Sequence, residues 1–202
     1  MAKRIASVNA RRERFREREA QREAIKWFIG TLRGTQQNNV GSGDLDPNLL
    51  LQNRRSTVNL IPGQIYFMRY DPKHKDTLPY YDTAPLFILL DIRDDMLFGI
   101  NTHYLPYRLR IQLINALLDT ITASKWDHKT KAKINYQMVK SMSKYGICKP
   151  ALKSYLFNHM RSKLVRIPAE NWKKVAYLPI ETFVKASKNR VWRDSERATK
   201  RS

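Results

Sequence analysis

The chain has 202 residues, enough for one ordinary globular domain or a compact core with an arm, and too few for two full-sized domains. Its 38 Lys and Arg against 18 Asp and Glu give a net charge of +20, while 42% hydrophobic residues exclude a wholly disordered tail protein. No apolar run approaches the ~20 residues that cross a bilayer, no secretory signal is expected at the N-terminus, and the single cysteine, Cys148, excludes an intrachain disulfide or a cysteine-rich zinc site. The expectation is a protein that is intracellular or packaged, held by core burial, with no membrane partner.

The charge is local. Residues 1–34 carry 10 basic and 4 acidic side chains, residues 35–60 two of each, residues 61–124 six and seven, and residues 125–202 carry 20 and 5. A near-neutral centre between two basic ends points to a polyanion that meets both ends of the sequence.

In chain order, residues 7–29 contain no Pro or Gly, and Arg11, Arg14, Arg18 and Arg22 recur at helical spacing with Glu13 to Arg16 and Glu19 to Arg22 in support. This reads as a charged helix whose apolar patch, Ile25, Trp27, Phe28 and Ile29, anchors its end. Residues 34–48 are rich in Gly, Gln, Asn and Ser and resemble a linker. Three apolar runs then read as strands: IPGQIYFMRYDP, APLFILLDI and MLFGINTHYL, each bounded by Pro, Gly or Asp.

Pro106 opens a helix with Leu109, Leu113, Ile114, Leu117, Leu118 and Ile121 on its apolar face. Asp127 caps a second with Ile134, Met138 and Met142 inward. Pro150 is expected to open a third carrying Leu152, Tyr155, Leu156 and Met160, and Pro168 and Pro179 two shorter ones. The fold class is α+β: a small antiparallel sheet or partial barrel followed by a helical C-terminal half and preceded by the charged helix. The expected organisation is an arm at 1–33, a linker at 34–60, one α+β domain at 61–196 and a basic tail at 197–202.

Catalytic signals are sparse. None of the seven glycines forms a phosphate-cradling loop. His74, His103, His128 and His159 are scattered without an i,i+4 pair, so neither metal nor other cofactor is expected. The enzymatic alternative is a metal-dependent nuclease, with Asp71, Asp82, Asp91, Asp94 and Asp95 around the sheet holding magnesium. Against it, Asp71-Pro72 and Asp94-Asp95 look like turns whose carboxylates cap local amides.

Tyr80 and Tyr81 would either stack on exposed bases at a frayed end or, the favoured reading, pack over the sheet edge. Trp27, Trp126, Trp172 and Trp192 are read as packing anchors. The strongest signal is the C-terminal set Lys149, Lys153, Arg161, Lys163, Arg166, Lys185, Lys188, Arg190 and Arg193, joined by Lys173 and Lys174. They alternate with core-type residues, so that one face is buried while the other meets phosphates without reading sequence. An acidic protein surface is the competing partner.

Three stretches carry a resemblance: GQIYFMRYDPKHKDTLPYYDTAPL with FGINTHYLPYRLR, CKPALKSYLFNHMRS, and ASKNRVWRDS. Together, over roughly residues 60–196, they are similar to the DNA end protector proteins of large contractile-tailed phages. The resemblance implies a virion protein, present in the host cytoplasm during assembly, that covers the double-stranded DNA end against host exonucleases. It also implies a role in head completion beside head, portal or neck proteins. It offers no catalytic residues, and its basic phrases match at Lys153, Arg161, Lys188, Arg190 and Arg193. The arm and linker fall outside it. A structural neck or portal-associated protein contacting acidic capsid subunits is the alternative.

Overall fold

The computed structural model describes residues 2–33, 60–122, 127–142 and 146–200. The expected linker up to residue 59, Trp126, and the side chains of Ile25, Trp27, Phe28 and Ile29 lie outside the described set. Helix α1 spans Ala2–Arg33, overrunning the 7–29 window at both ends. Arg11, Arg14, Arg18 and Arg22 are exposed along it, while Ala24, only 2% exposed, enters the main core.

Each apolar run of the centre contains a strand: β1 Ile65–Phe67, β3 Leu86–Arg93 and β4 Met96–Asn101. Their side chains alternate between two covered faces, which is why the runs read as continuously apolar rather than amphipathic. Ile65, Phe67, Leu86, Ile88 and Ile100 enter one core. Tyr66, Met68, Phe87, Leu89 and Leu97 form a second, smaller cluster with Tyr155. A register shift between Leu89 and Asp91 interrupts the β3–β4 ladder. Beyond it Ile92 and Arg93 reach solvent.

Helix α2, Tyr107–Thr122, follows Pro106 as expected and buries Leu113, Ile114 and Leu117. Helix α3, His128–Met142, starts where Asp127 accepts hydrogen bonds from Thr130 N at 2.9 Å and Thr130 Oγ1 at 2.8 Å. Its inward residue is Val139, with Ile134 half-buried; the side chains of Met138 and Met142 lie outside the described set.

The helix expected from Pro150 does not form. Pro150 sits in a 3-10 turn, Gly146–Ala151, and Leu152–Leu156 is strand β5. The i,i+3,i+4 spacing of Leu152, Tyr155 and Leu156 fits a helix locally. The open edge of β4 overrides it: Leu156 pairs with Met96, Tyr155 with Leu97 and Leu152 with Ile100. Tyr155 adds ring contacts at 5.0 Å to both Tyr70 and Phe87.

Strand β6, Val165–Arg166, pairs with β1 on the far side, giving the antiparallel order β5-β4-β3-β1-β6. After Pro168 come a 3-10 turn, Ala169–Asn171, and helix α4, Trp172–Tyr177, where Trp172 is fully buried and its Nε1 donates to Ile167 O at 2.8 Å. Pro179 opens no helix. Ile180 is buried and Glu181 is paired, and β7, Phe183–Val184, adds to β2, Tyr81–Asp82, as a second small sheet. The last helix, α5, is Lys188–Lys200. The architecture is α+β, with an N-terminal helix, a five-stranded antiparallel sheet and helices toward the C-terminus.

Gly99 pairs with Leu89 beside the register shift of the β3–β4 ladder. A Cβ there would sit 2.6 Å from Phe87 Cδ2 and 2.7 Å from Ile88 O, so both contacts have to be relieved by a shift. Gly99→Ala should lower stability by about 1–3 kcal/mol. A urea titration checks this as a lower midpoint at unchanged slope.

Candidate nucleic-acid interface

A buried polar network sets the frame. Asp82, 4% exposed, accepts at Oδ2 from His103 Nδ1 at 2.7 Å and Asn101 Nδ2 at 3.0 Å, and at Oδ1 from Ala84 N at 3.0 Å. An ionised carboxylate only accepts, so the imidazole carries its proton on Nδ1. Arg110, fully buried on α2, donates to Thr102 O at 2.9 Å and to Glu181 Oε1 at 2.7 Å. Burial pushes the Glu181 carboxyl up, but the Arg110 and His103 charges pull it further down, below the usual range. Trp192 of α5 donates from Nε1 to His103 O at 2.8 Å, which fastens the last helix to the same frame.

Beside this frame, residues 71–80 curl over the sheet and close a cleft of about 430 Å³. Its lining includes Tyr80 and Tyr81, Lys73 and His74 of the loop, and Tyr104 and Lys153. Lys153 projects from edge strand β5, and its Nζ lies 4.0 Å from the Tyr104 ring centroid. Burial pulls its amine down to about 8. Among the described residues no carboxylate pairs with it. The loop is clamped from outside: Lys185 donates to the carbonyls of Lys75, Asp76 and Leu78 at 2.7, 2.9 and 3.2 Å. Asp71 binds Lys75 at 3.0 Å and Arg161 at 3.1 Å.

The cations expected to meet a polyanion are therefore distributed unevenly. Arg190 and Arg193 are exposed on α5 and share a face with Arg197, which the sequence reading did not single out although its i,i+4 spacing from Arg193 was available. Arg190 also stands 3.9 Å from Asp194. Lys188 is half-buried, 5.7 Å from both the Tyr107 and Trp192 rings. Lys149 is exposed on the 3-10 turn that packs against α5. Lys163 is exposed just before β6, and Arg166 is half-buried within it. Since β5 and β6 are opposite edges of a five-stranded sheet, Lys153 and Arg166 stand about 19 Å apart across it. Lys185 and Arg161 are engaged with the loop rather than presented to solvent alone. Lys173 and Lys174 are exposed on α4.

The carboxylates named for a nuclease are dispersed. Asp82 belongs to the buried network, Asp71 to the loop, and Asp91 pairs with Arg93 at 2.8 Å on β3. Asp94 and Asp95 make the β3–β4 turn, Asp94 at a φ of 45° that Asp tolerates. Among the described residues no group of three His, Cys, Asp or Glu gathers as metal ligands. Tyr80 is half-buried, its ring 6.1 Å from Tyr104, and Tyr81 is paired to Val184, while both still face the cleft. Tyr104 carried no signal in the sequence: only the fold sets it under Lys153.

A family model described as phage T4 terminal DNA protecting protein matches residues 3–195. The chain belongs to that family. No curated protein and no solved structure matches it. The match begins at residue 3, so α1, left out by the phrases quoted above, lies inside the family pattern together with the loop, the cleft and most of α5. No described helix is long and apolar enough to cross a membrane.

Two outcomes follow from the titrating groups. Burial pushes the Asp82 carboxyl up, yet the His103 charge and the hydrogen bonds from His103, Asn101 and Ala84 pull it further down. A carboxyl lowered in the folded state stabilises above the unfolded value near 4 and loses that contribution as pH falls through the folded value. Asp82→Ala should cost about 3–5 kcal/mol at pH 7, because it strands buried partners. Urea unfolding at pH 7 and pH 3 should find that difference shrinking in acid. Lys153, for its part, should lose its proton near pH 8, far below the usual lysine range, in a side-chain NMR titration.

Proposed function

We propose that the protein binds the terminus of double-stranded DNA and shields it from host end-directed exonuclease, as a packaged virion component that catalyses no reaction. The observation that carries this reading is the family match over residues 3–195, to a terminal DNA protecting protein. The charge distribution supports it: the excess of basic residues is concentrated at the two ends of the sequence, and the exposed Arg190, Arg193 and Arg197 line one face of α5. Such contacts gain affinity by releasing counterions and read no bases, which suits a protein that must accept any terminal sequence.

The engagement of Asp71, Asp82 and Asp91 with cations or histidine favours binding over cleavage. A role in head completion fits the same location, with a head, portal or neck protein as second partner. A purely structural neck protein, its cations facing acidic capsid subunits, differs in one respect: it would hold linear and circular duplex alike.

Exonuclease digestion of linear duplex with added protein tests the reading directly. Linear DNA should be spared and should compete for the protein better than a closed circle of equal length. Equal competition with continued digestion overturns end protection. For the contacts, Lys163→Ala with Arg166→Ala, and Arg190→Ala with Arg193→Ala, should each weaken binding on every duplex sequence. Each pair should also flatten the slope of log K against log salt by roughly 0.9 per lost phosphate contact. Circular dichroism on each variant separates lost contacts from lost fold.

A further inference from the structure

The ammonium of Lys153 is the least explained charge among the described residues. It is half-buried, its closest described electrostatic contact is the Tyr104 ring at 4.0 Å, and no described carboxylate balances it. Removing a charge from water without a counter-ion is costly, and a site that keeps such a group in a cleft is organised for an anion that arrives from outside. The depressed amine value agrees, because it marks a cation that lacks its partner.

The cleft around it has the other attributes of a ligand site. Its volume of about 430 Å³ falls within the ~300–1,000 Å³ of small-molecule pockets. That is far too narrow for a base-paired end and ample for one nucleotide unit. Lys73 and His74 of the clamped loop, exposed to solvent, and the aromatic pair Tyr80 and Tyr81 belong to its lining. Every base has a π-face, so tyrosine stacking accepts any of them. The one anion of the lining, Asp82, has both oxygens engaged by hydrogen-bond donors of the protein.

We infer that this cleft seats the frayed terminal nucleotide of the DNA end, its terminal phosphate on Lys153 and Lys73 and its base against Tyr80 and Tyr81. The inference rests on the end-binding reading above and adds to it a physical end-detector: an internal nucleotide is held in the stack and cannot enter. Phosphate contacts on α5 then supply affinity for duplex, and the cleft supplies the preference for a terminus.

The test uses the full chain and thymidine dinucleotides in calorimetry. The 5′-phosphorylated dinucleotide should bind at one site per chain, at least tenfold more tightly than the unphosphorylated dinucleotide or inorganic phosphate. Lys153→Met should weaken it about 10- to 100-fold, the range for a charge-assisted hydrogen bond. Tyr80→Leu should weaken it several-fold, and Lys133→Ala, on the exposed face of α3, should leave it unchanged. Lys153→Met removes an unbalanced charge, so it should melt no lower than the parent chain.

Equal binding of the two dinucleotides, inorganic phosphate binding as tightly as the dinucleotide, or unchanged affinity in Lys153→Met overturns the inference. The exonuclease assay separates the two readings. If linear duplex is protected while the phosphorylated dinucleotide fails to bind, end protection stands and the cleft assignment falls. If the dinucleotide binds as described while linear and circular DNA are held alike, the nucleotide site stands and end protection falls.

Discussion

The carboxylate of Asp82 is the point on which the rest of the molecule hangs. It is buried at the end of a two-residue strand, and it is accepted into the interior only because His103, Asn101 and the Ala84 amide all donate to it. The two side-chain donors, Asn101 and His103, come from the end of β4 and the turn beyond it, so one charged group ties the small sheet to the large one. The Arg110–Glu181 pair continues the arrangement to α2 and the approach to β7, and the Trp192 indole extends it to α5. Buried charges of this kind add little net stability compared with apolar packing, but they tolerate few alternative geometries. Asp82 and Asn101 of this network also line the cleft, whose loop is held separately by Lys185 and Asp71.

The electrostatics divide into two kinds of cation. Arg110 is permanently paired and serves the frame, and Lys185 is an internal clamp whose ammonium is bound to three carbonyls. The arginines exposed on α5, and Lys163 before β6, clamp no loop and are exposed to solvent. Lys153 belongs to neither kind, being withdrawn from water yet unbalanced.

What could be read from the sequence follows the range of the forces involved. Strands β1, β3 and β4 were legible because apolar runs between Pro, Gly and Asp are a local signal, and the start of α3 because Asp127 caps its own neighbours. Strand β5 was not, since Leu152, Tyr155 and Leu156 satisfy a helical period and only a partner more than 50 residues away decides otherwise. Pro179 misled for a similar reason: the residues after it are extended by their pairing to Arg110 and to β2. The site divides the same way. Cation-rich segments announce themselves by composition, whereas nothing in the sequence distinguishes Lys185, which is a clamp, from Arg193, which faces water, or shows that Tyr104 lies under Lys153.

The sheet ends in β5 on one side and in the two-residue β6 on the other. An open strand edge invites pairing with a second chain, and proteins commonly blunt it with short strands and with lysine or arginine. Here Lys153 stands on one edge and Arg166, preceded by Lys163, on the other. The same cations that suit a polyphosphate therefore discourage edge-to-edge growth. Neutralising those edge cations, by phosphate or by substitution, would then leave two bare strand borders, so the charge on the edges and the integrity of the sheet as a separate unit are linked.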